Sequence, residues 1–424
     1  MSDSAIGPPP VCAPFPLIMI SFGTGLSTAF TFRICIFVLP GHQRVFIVWR
    51  NFQMESLLVR GINGGLPIIS YNSALAAPGS TMNSSAVLAS EQGFTRRRLL
   101  QLTAVSAAVG IIGYLGVRPR GRLKPVRHSQ PMMGTIVNLV VCGEDEGSCR
   151  HGIEACIERM ETLSMMMSTY VSDSPLSELN RFGTLNDAPQ ELVEVFKLAI
   201  ELSELTDGAF DPTVLPLVGL FKEVRKTGKL PDQEKVKEIL QVVDYRHIVV
   251  ENNTTVKYSK PGVTATLDAV AKGYIVDRGI EVLQGLGFSN AFIEAGGDLM
   301  VVGHRYDGKP WKIGIRNPRS DDLKKMTTIE MSDRAIATSG DYMQYFTDDK
   351  KIHHIIDPRT GFSPVRTASS SIIAPTVAWA DGLATAAMVL DPDQSIALLE
   401  TLPDCEGYLI DKDMNRYQTK GFFS

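Results

Sequence analysis

Residues 269–303 read AVAKGYIVDRGIEVLQGLGFSNAFIEAGGDLMVVG, and this stretch contains signals for both kinds of secondary structure. Apolar residues recur at helical spacing up to Leu286, which predicts a helix over 269–286. A run of apolar residues begins at Ala291 and predicts a strand that starts there, within 291–303. A helix followed closely by a strand indicates a domain that mixes the two types of element.

The chain on either side of this stretch shows the same mixture. Further helices are predicted at 152–167, 192–205, 232–242, 377–389 and 393–402. Strands are predicted at 133–141, 248–258 (two short ones), 311–316, 327–331, 335–338, 352–356, 369–374 and 408–410. Because strands and helices do not alternate strictly, the predicted fold class is α+β rather than a doubly wound parallel sheet.

Charge divides the chain into two parts. Residues 1–127 hold 12 basic and 3 acidic side chains, whereas the remainder holds 30 basic and 43 acidic side chains. An acidic folded part would repel phosphates, so the balance argues against binding to nucleic acid. Residues 1–94 are predicted to be a poorly structured leader, although an apolar stretch interrupted by Arg33 runs over 17–39. The alternative is a mis-assigned start codon, in which case this segment is not made.

The segment 95–117 has the layout of an export signal. Three arginines at 96–98 precede two leucines and an uncharged apolar run over 102–117. This pattern is typical of a twin-arginine signal, and the alternative is a membrane anchor with a basic flank. Both alternatives predict a periplasmic protein, either exported or anchored to the inner membrane through its N-terminus. A basic linker over 118–127 then leads into a domain over 128–424.

Five short segments of this domain are dense in Gly, Asp, His, Thr and Lys. They lie at 207–213, 271–277, 294–298, 337–342 and 353–361. Glycine lets a loop approach a ligand closely, and the polar residues can fix charge. One such loop is usually a turn, but five in one chain indicate a ligand site.

The domain resembles the flavin transferases of the ApbE type, the FAD:protein FMN transferases. The matching stretches are MGT at 133–135, STYVSDSPLSELNRF at 168–182, DGAFDPTVLPLV at 207–218, AKGYIVD at 271–277, EAGGDLMVVG at 294–303, TSGDY at 338–342, HHIIDPRTG at 353–361 and ADGLATA at 380–386. The resemblance implies one ApbE-like, T-fold-related catalytic domain. It also implies that FAD is split with Mg²⁺, that FMN joins a Ser or Thr hydroxyl of an acceptor protein, and that AMP leaves. The acceptor would be a redox-complex subunit or an electron-transfer protein.

A pyrophosphate is cleaved with the help of a hard cation, which neutralises the charge that develops on its oxygens. Asp381 and Thr385 are four residues apart on a predicted helix, so their oxygens share one side. The resemblance implies that these two residues bind magnesium together with the backbone oxygen of Ala269. Taken alone, Asp381 could equally be a polar cap of its apolar helix.

A hydroxyl nucleophile needs a base, and histidine suits that role near neutral pH. His353 and His354 are adjacent, so on a strand only one of them could face the site. The family pattern, His before Ile-Asp-Pro, points to His354 as the catalytic base. His353 is then predicted to be structural, and Asp357 to orient the base or anchor its loop.

The resemblance also implies a set of contacts to FAD. The residues are Met133, Tyr170, Ala209, Phe210, Asp211, Lys272, Thr338, Ser339, Gly340, Asp341, His354 and Ile355. Lys272 is expected near the phosphates, and 338–341 beside the flavin. For Met133 and Phe210 the alternative is a plain position in the core.

One position departs from the family. Its pattern DLGxxAKG has Asp six residues before the lysine, whereas this chain has Thr266 there and Asp268 two residues later. Either Asp268 takes over the contact to FAD or the contact at 266 is weaker. Two other functions share these residues: an FAD pyrophosphatase giving FMN and AMP, and a periplasmic flavin-binding protein without turnover.

Overall fold

The computed structural model describes residues 123–227, 229–320, 322 and 326–424, together with the backbone of five short strands nearer the N-terminus. The chain divides into two compact units, residues 1–105 and 106–424. The five strands of the first unit form an antiparallel sheet in chain order: β1 Met19–Ser21, β2 Phe32–Val38, β3 Val45–Asn51, β4 Ser56–Gly61 and β5 Ile69–Asn72. No strand was predicted from this part of the sequence, and the twin-arginine segment at 95–117 lies outside the described residues.

No helix in the described part of the chain is long and apolar enough to cross a membrane. That part contains eight α-helices in the second unit. They are α1 Glu146–Met166, α2 Pro175–Phe182, α3 Gln190–Leu205, α4 Leu215–Thr227, α5 Gln233–Leu240, α6 Ala271–Gly285, α7 Val377–Val389 and α8 Pro392–Leu399. The five predicted helices outside the opening stretch are confirmed with shifted ends in most cases, while α2 and α4 were not predicted.

The second unit is built on an eight-stranded sheet in which every described pair is antiparallel. Its strands are β6 Lys124–Met132, β7 Thr135–Gly143, β11 Ala291–Ala295, β12 Asp298–Val302, β15 Arg334–Gly340, β16 Thr367–Ala374, β17 Glu406–Asp411 and β18 Arg416–Gln418. They are ordered β18-β17-β16-β15-β12-β11-β7-β6. The α+β prediction is therefore confirmed. The predicted linker boundary after residue 127 falls inside β6, which pairs along its length with β7.

Two smaller sheets complete the fold. One joins β8 Thr184–Leu185, β9 Ile248–Glu251 and β10 Thr255–Tyr258, and the other is the hairpin of β13 Trp311–Ile315 and β14 Thr327–Met331. The predicted strand at 352–356 is wrong, because the structure has a loop there with a single bridge between Tyr345 and His353. The apolar run Ile355–Ile356 is buried by packing within a loop rather than by sheet pairing.

The opening stretch forms α6 and then a hairpin, whose first strand begins at Ala291 as predicted. β11 and β12 pair antiparallel around Gly296 and Gly297, whose φ angles are 65° and 110°. Such angles favour glycine, so this pair ends the strand that begins at Ala291 and reverses the chain. A Cβ at Gly296 would lie 2.7 Å from Oγ1 of Thr135, so this turn also packs against the start of β7.

Two apolar cores cover the two faces of the large sheet. Leu139 and Ile293 belong to the core shared with α1, α6 and α7, and both are at most 1% exposed. Ile336 and Ile373 belong to the core on the other face, together with Trp311 of the β13–β14 hairpin. Because side chains alternate along a strand, both faces of the central strands are buried.

Helices α6 and α7 pack closely where they cross. A Cβ at Gly273 would lie 2.5 Å from the carbonyl oxygen of Val377. Asp277 is buried and its two carboxylate oxygens accept the first backbone N–H groups of α7, from Val377 at 2.8 Å and Ala378 at 2.9 Å. Asp277 therefore caps α7 from a neighbouring helix, in addition to the local cap Thr376.

Removing this cap is expected to destabilise the protein. Asp277→Ala leaves two buried N–H groups without their acceptors, which should lower the free energy of unfolding by about 2 kcal/mol. Urea unfolding monitored by circular dichroism measures the change. Asp232→Ala is the matched control, because Asp232 caps α5 at the surface. An equal or smaller loss in Asp277→Ala than in the control would contradict the role of Asp277.

Candidate active site

Helix α7 places Asp381 against the start of α6. Asp381 is 4% exposed, and its Oδ2 accepts the N–H of Gly273 at 3.3 Å. Burial raises the pKa of this carboxyl, the positive charge of Lys272 opposes the shift, and the charge of Asp268 adds to it. One turn later on α7, Oγ1 of Thr385 lies 3.3 Å from Oγ of Ser339 on β15. The two predicted magnesium ligands therefore contact α6 and the large sheet respectively.

Lys272 is the positive centre of a group of acidic side chains. Its ammonium forms an ion pair with Asp298, which is 1% exposed. The same charge acts on the buried carboxyls of Glu294 and Asp381. We call these residues together with Asp268 the Lys272 cluster. The cluster holds four acids and one lysine, and burial raises the pKa of Glu294 and Asp381, so a further cation here would favour their ionised forms.

The turn between β11 and β12 holds part of this cluster in place. Glu294 accepts a hydrogen bond from Nδ2 of Asn138 at 2.6 Å and one from the N–H of Gly297 at 2.8 Å. Burial raises the pKa of Glu294, and the bond from Asn138 opposes that shift. The segment 294–298 was predicted to be a ligand loop, but no residue within it was assigned a role. Glu294 and Asp298 are site residues that it missed, and the close spacing of two acids around two glycines was the available signal.

The segment before α6 carries the departure from the family pattern. Thr266 is 8% exposed, and its Oγ1 accepts the N–H of Asp268 at 3.2 Å. Asp268 is exposed and acts electrostatically on Asp381, as described above. Thr266 thus shapes the turn before α6, while Asp268 contributes a negative charge to that turn. Ala269, whose carbonyl was assigned to the metal, is half-buried next to it.

The four residues 338–341 face different partners. Ser339 faces α7 as described, whereas Oγ1 of Thr338 lies 2.8 Å from Oγ of Ser371 on β16. Alternation along β15 explains the difference, because adjacent side chains point to opposite faces. Gly340 ends the strand, and Asp341 beyond it is fully buried. Both oxygens of Asp341 accept hydrogen bonds from Arg319, each at 2.7 Å.

His354 lies in the loop that follows this segment. Its ring Nδ1 is 3.0 Å from the carbonyl oxygen of Gln344. A carbonyl can only accept, so the neutral ring carries its proton on Nδ1 and a lone pair on Nε2. That tautomer is the one a base needs, because Nε2 can then take a proton.

His353 has a different environment. It is fully buried, and its Nε2 lies 3.2 Å from the carbonyl oxygen of Pro364. Its backbone N–H donates to Oγ of Ser363 at 3.0 Å, and the same hydroxyl donates back to the carbonyl of His353 at 2.8 Å. Burial lowers the pKa of His353 to about 3. The residue is thus a neutral link between the two ends of the loop.

This burial predicts a pH dependence of stability. Below about pH 6.5 the unfolded chain binds a proton at His353 that the folded protein does not, so stability falls as pH decreases from about 6.5 to about 3. The free energy of unfolding of wild type, relative to that of His353→Gln, is expected to fall by about 2 kcal/mol as the pH is lowered from about 7 to about 5. Urea unfolding of both proteins measures it. Because both proteins contain the same other titrating groups, their contributions cancel in the comparison. One of these groups is Asp277, and burial raises its pKa to about 7. A difference that does not change with pH would contradict the assignment.

Several of the remaining predicted FAD contacts are buried together. Ala209 and Ile355 belong to one apolar cluster with Met388, although they come from distant segments. Phe210 is 3% exposed and packs in the main core. Asp211 accepts hydrogen bonds from the N–H groups of Thr213 and Tyr245, at 2.8 and 2.9 Å. The segment 209–211 is therefore held rigidly beside the loop that carries His354 and Ile355.

Met133 packs against the edge of the main core, whereas Tyr170 lies at the surface of the domain. Met133 is half-buried in the two-residue turn between β6 and β7, with a φ of 51°. Tyr170 is 74% exposed, and its ring lies under the ammonium of Lys222 at 4.9 Å. Lys222 also donates to the phenol oxygen of Tyr170 at 3.2 Å. The exposed face of Tyr170 is available for stacking, and Lys222 is a neighbour that the sequence analysis did not name.

In the described residues, no three His, Cys, Asp or Glu side chains form a metal-binding group. The predicted donor set is consistent with that finding, because only one of its three members is a carboxylate. Thr385 would supply a hydroxyl and Ala269 a backbone carbonyl. All three donors are oxygens, which suits a hard cation such as Mg²⁺ rather than a softer metal.

Known proteins resemble this chain over most of the second unit. A curated FAD:protein FMN transferase of Vibrio cholerae is 35% identical over 283 residues, covering 65% of this chain and 84% of the relative. One of Haemophilus influenzae is 33% identical over 313 residues, covering 70% of this chain and 89% of the relative. The crystal structure of an ApbE protein of Thermotoga maritima matches with a TM-score of 0.64 at 30% identity, covering 70% of this chain and 98% of that one.

The relatives and the fold define the class of this protein, which is a transferase. The model of the ApbE family matches residues 133–409, and the chain belongs to that family. The matched range contains the Lys272 cluster, His354 and Asp341.

Proposed function

We propose that this protein transfers the FMN part of FAD to a Ser or Thr hydroxyl of an acceptor protein, through a phosphodiester bond, with release of AMP. The observation that carries the proposal is the 33–35% identity to two curated FAD:protein FMN transferases over most of their length. The range matched by the family model, 133–409, includes all the residues to which we assign a part in the reaction. FAD is then the substrate and a second protein is the acceptor.

Magnesium is part of the proposal. Asp381, Thr385 and the carbonyl of Ala269 would hold the ion, and their oxygen donors fit it. When bound, the ion would neutralise the negative charge on the pyrophosphate oxygens. A donor set with one carboxylate leaves coordination positions for phosphate and water, which is the usual arrangement for Mg²⁺ with a nucleotide. The excess of acids in the Lys272 cluster supports a cation here.

The chain's own residues have defined tasks in this reaction. Asp298 fixes the ammonium of Lys272, which we assign to the phosphates of FAD. Gln344 holds the Nδ1 proton of His354, so Nε2 takes the proton from the acceptor hydroxyl. The hydroxyl oxygen forms a bond to the phosphorus of the FMN half, and the bond from that phosphorus to the oxygen of AMP breaks. AMP leaves with the electron pair of that bond.

The test uses the full chain with FAD, Mg²⁺ and a candidate acceptor protein. The expected result is flavin fluorescence that remains on the denatured acceptor, with one AMP released per flavin attached, and loss of both on chelation with EDTA. AMP release without an acceptor as the main reaction would instead indicate an FAD pyrophosphatase. FAD that stays bound and intact with Mg²⁺ present would indicate a flavin-binding protein without turnover.

The location and the acceptor are also proposals. The arginines at 96–98 and the uncharged run after them support export by the twin-arginine route to the periplasm, or anchoring in the inner membrane. A redox-complex subunit or an electron-transfer protein in that compartment would be the acceptor. Cell fractionation of the wild type and of Arg96→Lys/Arg97→Lys tests the route. Equal amounts of both proteins in the periplasmic and membrane fractions would contradict it.

A further inference from the structure

A buried ion pair supports the segment expected beside the flavin. Asp341 is fully buried, and Nη1 and Nη2 of Arg319 each donate to one of its carboxylate oxygens at 2.7 Å. The Asp341 carboxylate raises the pKa of Arg319. Arg319 lies between β13 and β14, outside all the stretches that carry the family resemblance. A bidentate ion pair between arginine and a carboxylate is among the strongest and most directional side-chain contacts.

A second arginine from the same connection holds the next residue. The guanidinium of Arg316 lies over the ring of Tyr342, 5.4 Å from its centre. The backbone N–H of Asp341 donates to the carbonyl of Ala368 on β16 at 3.1 Å. The end of the segment 338–341 is thus fixed by β16 on one side and by the β13–β14 connection on the other.

Lys412 interacts both with the pair and with the loop that carries His354. Lys412 donates to the carbonyl oxygen of Pro364 at 3.2 Å, the same oxygen that Nε2 of His353 contacts. Burial lowers the pKa of Lys412, with Asp341 opposing the shift and Arg319 adding to it. Lys412 thus contacts the end of the loop that carries His354 and also responds to the charges of the ion pair.

We infer that Arg319 is a positioning residue, which acts through Asp341 to hold residues 338–340 in place for the flavin end of FAD. Asp341 then supports the site rather than contacting the flavin, because its side chain is fully buried and faces Arg319 with both oxygens. The inference rests on the proposed function, which places FAD against this segment. Lysine cannot replace Arg319, since an ammonium does not reproduce the two parallel hydrogen bonds.

The test compares Arg319→Lys with the wild-type full chain. FAD affinity, measured by quenching of flavin fluorescence, is expected to fall about tenfold. The rate of transfer at saturating FAD is expected to change by less than about threefold, because the chemical groups are untouched. Arg305→Lys is the matched control, since Arg305 pairs with the buried Asp307 at 3.0 Å on a neighbouring loop. Its FAD affinity should stay within about twofold of wild type.

A chemical rescue separates positioning from general stability. Arg319→Ala should bind FAD weakly, and added methylguanidinium should restore affinity, whereas methylammonium should not. If Arg319→Lys binds FAD like wild type, or if Arg305→Lys loses as much affinity, the inference is wrong. A wild-type protein that binds FAD without attaching it to an acceptor would overturn the proposed function alone, because the affinity comparison still tests Arg319. A wild-type protein that binds no FAD overturns both.

Discussion

Asp381→Asn is expected to reduce flavin transfer by at least about 1,000-fold, equivalent to about 4 kcal/mol of transition-state stabilisation. Asp381 is the only carboxylate among the three proposed magnesium donors, so its replacement removes the charge that attracts the ion. The fold should persist, because the asparagine oxygen can still accept the N–H of Gly273 that Oδ2 of Asp381 accepts. The amide also removes a buried charge, which avoids a cost of desolvation.

Covalent flavin on the denatured acceptor measures the loss, and calorimetric titration of Mg²⁺ into the protein with a non-cleaved FAD analogue measures binding. Asp277→Asn is the matched control, because Asp277 is also a buried aspartate at the junction of α6 and α7. That control should lower stability and keep transfer within about fivefold at a temperature where it is folded. If Asp381→Asn keeps a rate near that of wild type, the magnesium assignment is wrong.

His354→Gln is expected to lower the transfer rate by about two to four orders of magnitude, because the acceptor hydroxyl loses the base that takes its proton. The side-chain amide of glutamine can donate to the carbonyl oxygen of Gln344 in place of the ring Nδ1–H, so the loop should hold its conformation. FAD affinity should change little. The measurement is single-turnover transfer with both substrates saturating, which isolates the chemical step from binding.

His304→Gln serves as the control for a histidine replaced elsewhere, since His304 is exposed in the loop after β12. Addition of imidazole to His354→Ala should recover part of the rate if the missing group is a base. A wild-type rate in His354→Gln would show that another group accepts the proton. A loss of FAD affinity equal to the loss of rate would show that His354 binds the substrate rather than moving a proton.

Local patterns in the sequence predicted most of the elements that position the site. The helix of 377–389 is confirmed with both ends as predicted, because its apolar run follows Thr376, a residue that caps helices well. Strand β6 was missed, since Lys, Arg and two prolines make its sequence resemble a linker. It is a strand because β7 pairs with it across the tight turn at Met133 and Gly134.

The candidate site was predictable in its kinds of residue but not in its pairings. The family resemblance singled out Lys272, Asp341 and Asp381, and the structure shows which groups these residues contact. Lys272 pairs with Asp298, 26 residues away, and Asp341 with Arg319, 22 residues away. Arg319 belongs to no motif, so no pattern in the sequence distinguished it from other surface arginines.

By itself the sequence determined the fold class, the family and the inventory of chemical groups, because periodicity, turn glycines and short motifs are local properties of the chain. Only the tertiary structure decided which group meets which. Asp277 contacts the N–H of Val377 across 100 residues, and Ala209 packs with Ile355 although they lie in separate segments. Such contacts depend on how helices and strands pack, and burial then sets the charge state and the role of each side chain.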